Sequence, residues 1–248
     1  IKNRTMRKIN AFIATLAVCA ITPSMQSCLN DGDSDDLRRP TALVTVCPDD
    51  DGSFTMNLDN STVLVPTNLK TSPFGKKEVR ALVNYTDDPK GRATTQNVYV
   101  NWIDSIRTKM PEPTLGEEND KIYGNDPVEI VRDWVTIAED GYLTMRVRTV
   151  WGQSGTPHVL SLLTGTNPDN PYELELRHNA KGDLYGDFGD ALIAFNLNGL
   201  PRNDNDEPTI TLKWKSFSGE KELEFDIKLR PEAPASALLA PLPFRAIE

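Results

Sequence analysis

From residue 41 onward the chain alternates short apolar runs with clusters of turn residues, and almost every strong segment reads as strand. Residues 43–47, 53–58 and 62–66 are brief stretches rich in β-branched side chains. Asp49-Asp50-Asp51-Gly52 separates the first two and Asp59-Asn60-Ser61 the next two. Such residues tolerate positive φ and so mark hairpins. In residues 78–86, Val79, Ala81, Val83 and Tyr85 alternate with Arg80, Leu82 and Asn84. After a turn at 87–91, residues 95–108 place Val98, Val100 and Trp102 on one face and Tyr99, Asn101 and Ile103 on the other. Five strands in so short a span predict a small closed barrel of the oligosaccharide/oligonucleotide-binding (OB) type over residues 41–110.

Pro111, Pro113, Gly116 and several acids then break the alternation, predicting a semi-rigid linker over 111–123. Strand patterns resume at 128–138, 142–151, 158–164, 172–178, 191–197, 209–216 and 222–229. Their spacing predicts an antiparallel β-sandwich over 124–230, followed by a flexible tail over 231–248. No segment carries a helical repeat. The expected fold class is all-β, an OB-like five-stranded barrel followed by an antiparallel sandwich.

The first 40 residues obey another rule. Lys2, Arg4, Arg7 and Lys8 precede an apolar run from Ile9 to about Ile21, with Met6-Arg7-Lys8 as a compact basic start. That run is shorter than the ~20 residues of a spanning helix. It fits a secretory signal over 1–27. Met25-Gln26-Ser27-Cys28 has the shape of a lipobox, which predicts cleavage after Ser27 and acylation of Cys28. A buried N-terminal helix and an ordinary cleaved signal are the competing readings. Two or more acyl chains anchor stably where one does not. Asp31, Asp33, Asp35 and Asp36 make residues 28–40 an acidic, disordered tether. Acids just after the cysteine resemble the surface-export signals of Bacteroidetes lipoproteins. The expected location is the outer membrane, lipid-anchored, at the cell surface in preference to facing the periplasm.

Charge narrows the partners. The chain has 27 basic and 36 acidic residues, and loss of the signal leaves 23 against 36, a net of −13. This argues against nucleic acid and against adsorption to anionic lipid. The membrane partner is therefore reached through Cys28. With Cys19 in the signal and Cys28 acylated, only Cys47 remains. No intrachain disulfide is expected, and Cys47 reads as a small apolar core residue.

Several stretches together resemble the NigD-like proteins of Bacteroidetes. They are the Ser27-Cys28 lipobox with its acidic tether, Asp51-Gly52-Ser53-Phe54, and Arg80-Ala81-Leu82-Val83-Asn84-Tyr85-Thr86. Gly124-Asn125-Asp126-Pro127-Val128 leading to Trp134, Gly141-Tyr142-Leu143, and Leu174-Glu175-Leu176-Arg177-His178-Asn179-Ala180 complete the set. The similarity covers about residues 25–230, with Met25 where leucine is commoner. It implies the same barrel and sandwich, and it carries over no catalytic residue. The family's association with bacteriocin genes implies a context and no activity.

Candidate chemistry is sparse. His158 and His178 plus an acid suit zinc in kind, but they sit in different strands without ligand spacing and read as hydrogen-bonded strand residues. Residues 203–207 lack the EF-hand pattern and read as a solvated turn, as do residues 183–190. There is no Gly-x-Ser-x-Gly, P-loop or dinucleotide motif. No catalytic residue, metal or cofactor is therefore expected, and the protein is read as a non-enzyme. Trp102, Trp134 and Trp214 read as core. Trp151 reads as core too, but at a strand end before Gly152-Gln153-Ser154-Gly155 it is the best candidate for exposure. With Tyr185 it is the candidate ligand or partner contact. Asp104-Ser105-Ile106 resembles a Bacteroidetes O-glycosylation pattern. The expected function is a non-catalytic binding or assembly module for a protein or glycan partner. The alternatives are a bacteriocin-associated self-protection lipoprotein and, more remotely, a glycan or peptide hydrolase.

Overall fold

The computed structural model describes residues 38–88, 96–152, 155–202 and 206–231. Ser27, Cys28, the signal, the tether through residue 37, and the tail beyond 231 lie outside the described residues.

Five strands close into a barrel: β1 (Ala42–Pro48), β2 (Phe54–Asn57), β3 (Val63–Pro66), β4 (Val79–Asp87) and β5 (Gln96–Ser105). Their order around it is β1-β2-β3-β5-β4, with β3 and β5 parallel. The alternation read from the sequence sends Val44, Val46, Phe54, Met56, Leu64, Ala81, Val83, Val98 and Val100 inward. Closure removes free edges that would otherwise recruit other chains. At the first hairpin Gly52 takes φ 89°, and Asp51 accepts the Ser53 N–H at 2.8 Å.

The sandwich has two sheets. One holds β6 (Arg107–Lys109), β8 (Glu129–Val131), β9 (Ile137–Glu139), β10 (Tyr142–Trp151) and β13 (Asp187–Asn196). Its order is β6-β13-β10-β8, with β9 also on β10. The other holds β7 (Glu112–Pro113), β11 (Val159–Thr164), β12 (Glu173–Asn179), β14 (Thr209–Ser216) and β15 (Gly219–Asp226), in the order β15-β14-β12-β11-β7. Leu143, Met145, Val147, Ile193 and Phe195 from the first sheet pack on Leu174, Leu176, Ile210, Leu212 and Trp214 from the second.

Four local readings change. The strand expected over 95–108 ends at Ser105. Ile106 is buried and its N–H donates to the Arg80 carbonyl at 2.7 Å, after which β6 joins the sandwich beside β13. The stretch expected as a linker, 111–123, is built into the sandwich. β7 pairs with β11, a 3-10 turn spans Gly116–Glu118, and a short helix α1 (Asn119–Tyr123) returns Tyr123 Oη to the Pro113 carbonyl at 3.0 Å. The run 128–138 splits into β8 and β9 around a loop bearing Trp134. Residues 187–190, expected within a turn, belong to β13 and pair with residues 148–151 of β10.

Barrel and sandwich share a buried seam within one compact unit. Leu43, Ile106 and Ala194 pack there with Leu82, Ile137 and Leu192. Arg80, 0 % exposed, donates to Thr45 Oγ1 at 2.9 Å and Thr144 Oγ1 at 3.3 Å, and pairs with Glu139 at 3.3 Å. Burial pushes the Arg80 guanidinium down and the Glu139 carboxyl up, while their mutual attraction opposes both shifts. Arg230 donates to Asp140 Oδ1 and to Glu78 Oε1, each at 2.8 Å, and lies 5.4 Å over the Tyr142 ring. Cys47 is half-buried in this seam beside Arg230 and outside the barrel core. Burial pushes its thiol up to about 12, which keeps it protonated and unreactive.

Candidate functional site

β13 starts with Asp187-Phe188, and the β14–β15 turn carries Phe217-Ser218 beside it. The preceding loop bears Leu184 and Tyr185. Tyr185 is 88 % exposed and Phe188 63 %, with Leu184 and Phe217 also open to solvent. Phe188 and Phe217 meet edge to face, with ring centroids 5.3 Å apart. Leu184 and Phe217 line one cavity of about 250 Å³ with Val150, so Leu184, Phe188 and Phe217 form one patch, and Tyr185 follows Leu184 in the chain. Large apolar side chains grouped at the surface mark interaction sites more reliably than single ones do.

Trp151, the best candidate for exposure, is not the open tryptophan. It is half-buried, because the loop 180–186 folds over it and its ring stacks on His158 at 4.1 Å and 21°. A Cβ on Gly186 would lie 1.9 Å from the Trp151 carbonyl oxygen, and one on Gly189 2.5 Å from Cδ1 of its ring. Gly186 lets the chain approach the Trp151 backbone, and Gly189 lets it approach the indole. The tryptophan open to solvent is Trp134, 53 % exposed. Trp214 is in the core.

The two histidines, read as separate strand residues, are brought together. His158 Nδ1 and His178 Nε2 are 3.0 Å apart. His158 Nε2 faces Asp183 Oδ2 at 3.3 Å, and His178 Nδ1 faces the Pro127 carbonyl at 3.1 Å. Asp183 Oδ2 also accepts the Gly152 N–H at 2.9 Å. Burial pushes the His178 imidazole below its usual range. Among the described residues no three His, Cys, Asp or Glu side chains converge as a metal site.

A second concavity, of about 320 Å³, lies between the barrel and the outer face of β10 and β13. Pro40, Leu82, Trp134 and Leu192 line it with Asp133, Arg146 and Asp190. Arg146 donates to Asp133 Oδ2 at 3.0 Å and to Asp190 Oδ2 at 2.7 Å, and Arg148 donates to Asp190 Oδ1 at 2.6 Å. The Arg148 hydrogen bond, with help from Arg146, holds the Asp190 carboxyl down at about 2. A carboxylate held so far down is a poor proton donor or acceptor at neutral pH. The sequence reading missed this cleft because Trp134 sits in an apolar run that passes for one strand. No helix of the described residues is long and apolar enough to cross a membrane.

Comparison with known proteins gives the same two-part layout. The NigD-like N-terminal OB domain matches residues 43–106, and the NigD-like C-terminal beta sandwich domain matches residues 110–227. Among solved structures, a provisionally described toxin-related protein from Parabacteroides distasonis is 31 % identical, with TM-score 0.63, covering 75 % of this chain and 92 % of that one. A NigD-like immunity protein from Bacteroides caccae is 24 % identical, with TM-score 0.53 and coverage of 74 % and 90 %. A provisionally described lipoprotein from Bacteroides fragilis is 16 % identical, with TM-score 0.51 and coverage of 77 % and 98 %, a likeness of fold. No curated protein matches the chain.

Proposed function

The chain belongs to the NigD-like family, and on that premise we propose that it works as a non-catalytic binding module of the cell envelope, held to the outer membrane through acylated Cys28. The partner is a protein, and the contact surface is the patch of Leu184, Tyr185, Phe188 and Phe217. One observation carries this reading: Leu184, Phe188 and Phe217 stand exposed together at the end of the sandwich, and Tyr185, next to Leu184 in the chain, is 88 % exposed. Aromatic anchors of this kind dominate protein interfaces. The tether read from the sequence supports a surface location, and the lipobox supports a lipid anchor, with which the lipoprotein named among the similar folds agrees. A protein partner also accommodates self-protection, in which the intercepted molecule is a toxin. The immunity protein named among the similar folds lends that variant its support.

The cleft favours a glycan as second reading. Trp134 offers a flat apolar face for a sugar ring, and Arg146, Asp133 and Asp190 offer planar polar groups for its hydroxyls. Because Arg146 and Arg148 occupy the Asp190 carboxylate, the cleft is arranged for holding a ligand and not for hydrolysis.

Photo-crosslinking on living cells tests the proposal. A photoreactive phenylalanine analogue at position 185 is expected to give one discrete protein adduct, and the same group at position 134 none. No adduct at 185, or equal adducts at both, contradicts the assignment of the patch. Palmitate incorporation lost in Cys28→Ala, with protein removed by protease shaving of intact cells, is the result expected for the anchor.

A further inference from the structure

Three contacts run in a line from Asp183 Oδ2 to His158 Nε2, from His158 Nδ1 to His178 Nε2, and from His178 Nδ1 to the Pro127 carbonyl oxygen. Each needs one proton. The carbonyl has none to give, so His178 Nδ1 is the donor there, and a neutral His178 then has a bare Nε2. His158 Nδ1 must supply the proton between the rings. If His158 were also neutral, its Nε2 would face the carboxylate lone pair to lone pair. Two neutral rings bring two protons to three contacts, and the His158 side chain is only 2 % exposed, which leaves it little bulk solvent to bond instead.

We propose that Asp183, His158 and His178 together hold one proton more than two neutral imidazoles and a carboxylate possess, and that this proton clamps the loop bearing Leu184 and Tyr185. Its link to binding rests on the reading of the aromatic patch above. The third proton belongs on His158. Asp183 Oδ2 already accepts from Gly152 N–H, as an ionised carboxylate does. Trp151 lies flat against His158, and an indole face favours a cation. Burial keeps His178 neutral. Other charges face the group too. Asp126, whose Oδ2 accepts the Ala180 N–H at 2.8 Å, favours added positive charge near His178. Arg107 and Lys109 line the cavity on the His158 side and oppose it, Lys109 being paired with Glu112 at 3.1 Å.

The consequence is a surface that responds to pH. Asp183 is fixed to β10 through Gly152 and to the start of β11 through His158, and Leu184 and Tyr185 follow it directly. While the third proton is present the loop is held at both points. As pH rises and the proton leaves, one of the three contacts opens and the loop loosens, so the patch is firmest on the acidic side.

Nitrogen-15 NMR of the histidine rings in the full chain, at neutral pH with and without a chelator, tests the count. Expected are protons on both ring nitrogens of His158 and on Nδ1 alone of His178. Asp183→Asn keeps an oxygen for the Gly152 N–H, and in it His158 is expected to lose one ring proton. Two neutral rings, or shifts that the chelator reverses because a metal ion sits between them, overturn the proposal. Amide exchange at residues 183–185, corrected for its intrinsic pH dependence, should quicken several-fold as His158 gives up its proton and show no such step in Asp183→Asn. An absent step in the wild type overturns the clamp. None of these readouts uses a partner, so failure of the binding surface shows separately, as a missing adduct at position 185.

Discussion

At the seam between barrel and sandwich, Arg80 and Arg230 are buried or half-buried, and carboxylates or hydroxyls meet each guanidinium. At the end where β13 begins, Tyr185 and Phe188 stand in solvent, Phe188 against the ring of Phe217. The seam spends polar groups to fix one arrangement of the two halves. The open end leaves apolar groups unspent. Buried ion pairs add little net stability but penalise any arrangement that separates them. Exposed aromatics add none and are kept where a partner covers them. The difference places rigidity in the seam and recognition at the end.

The sharpest way to break this contrast is Arg80→Ala. It leaves Glu139 half-buried without its cation and Thr45 and Thr144 without their donor. The expected loss is about 3–5 kcal/mol in denaturant unfolding, the cost of orphaning one partner of a buried pair. Arg230→Ala removes the charged donor to Asp140 and Glu78, leaving buried Asp140 with only the long Asn57 Nδ2 contact at 3.4 Å, and a loss of about 1–3 kcal/mol is expected. Gly189→Ala drives a methyl to 2.5 Å from the Trp151 ring and is expected to cost about 1–3 kcal/mol, with changed indole fluorescence. Phe188→Ser should shift stability by no more than about 0.5 kcal/mol, the usual range for an exposed position. It should nevertheless abolish the adduct at position 185. A large stability loss there would mean the patch is structural, and the contrast would fail.

The smallest expected effect is at low pH. The Asp190 carboxyl is held at about 2, below its ordinary 3.8, so its contribution is present above 3.8 and is lost as pH falls through about 2. Asp190→Asn should flatten that part of an acid unfolding curve, and an unchanged curve would deny the pairing of Asp190 with Arg146 and Arg148 any role in stability.

The barrel was legible in the sequence because alternation with period two and Asp-Gly turns specify its strands almost residue by residue. What covers the second face of β4 was not legible. Arg80 and Leu82 alternate as a solvent face would, yet the sandwich covers them. Pro111 and Pro113 looked like a spacer, although an edge strand as short as β7 tolerates proline. The histidine pair was hidden by its long separation in sequence. Hairpin register sets Leu160 opposite His178, which puts His158 diagonal to it on the same face. Trp134 was lost inside an apolar run, and Trp151 was misjudged because β13 begins four residues before the point its hydrophobic pattern suggests.

The account rests on the patch, and the most direct test is the affinity of the protein captured at position 185 for purified wild type, Tyr185→Ala and Trp134→Ala side by side. A central aromatic anchor is worth about 2 kcal/mol or more, so Tyr185→Ala should weaken binding by about thirtyfold or more, with Trp134→Ala near wild type. Unchanged affinity in Tyr185→Ala, or a loss confined to Trp134→Ala, would contradict it and move recognition to the cleft.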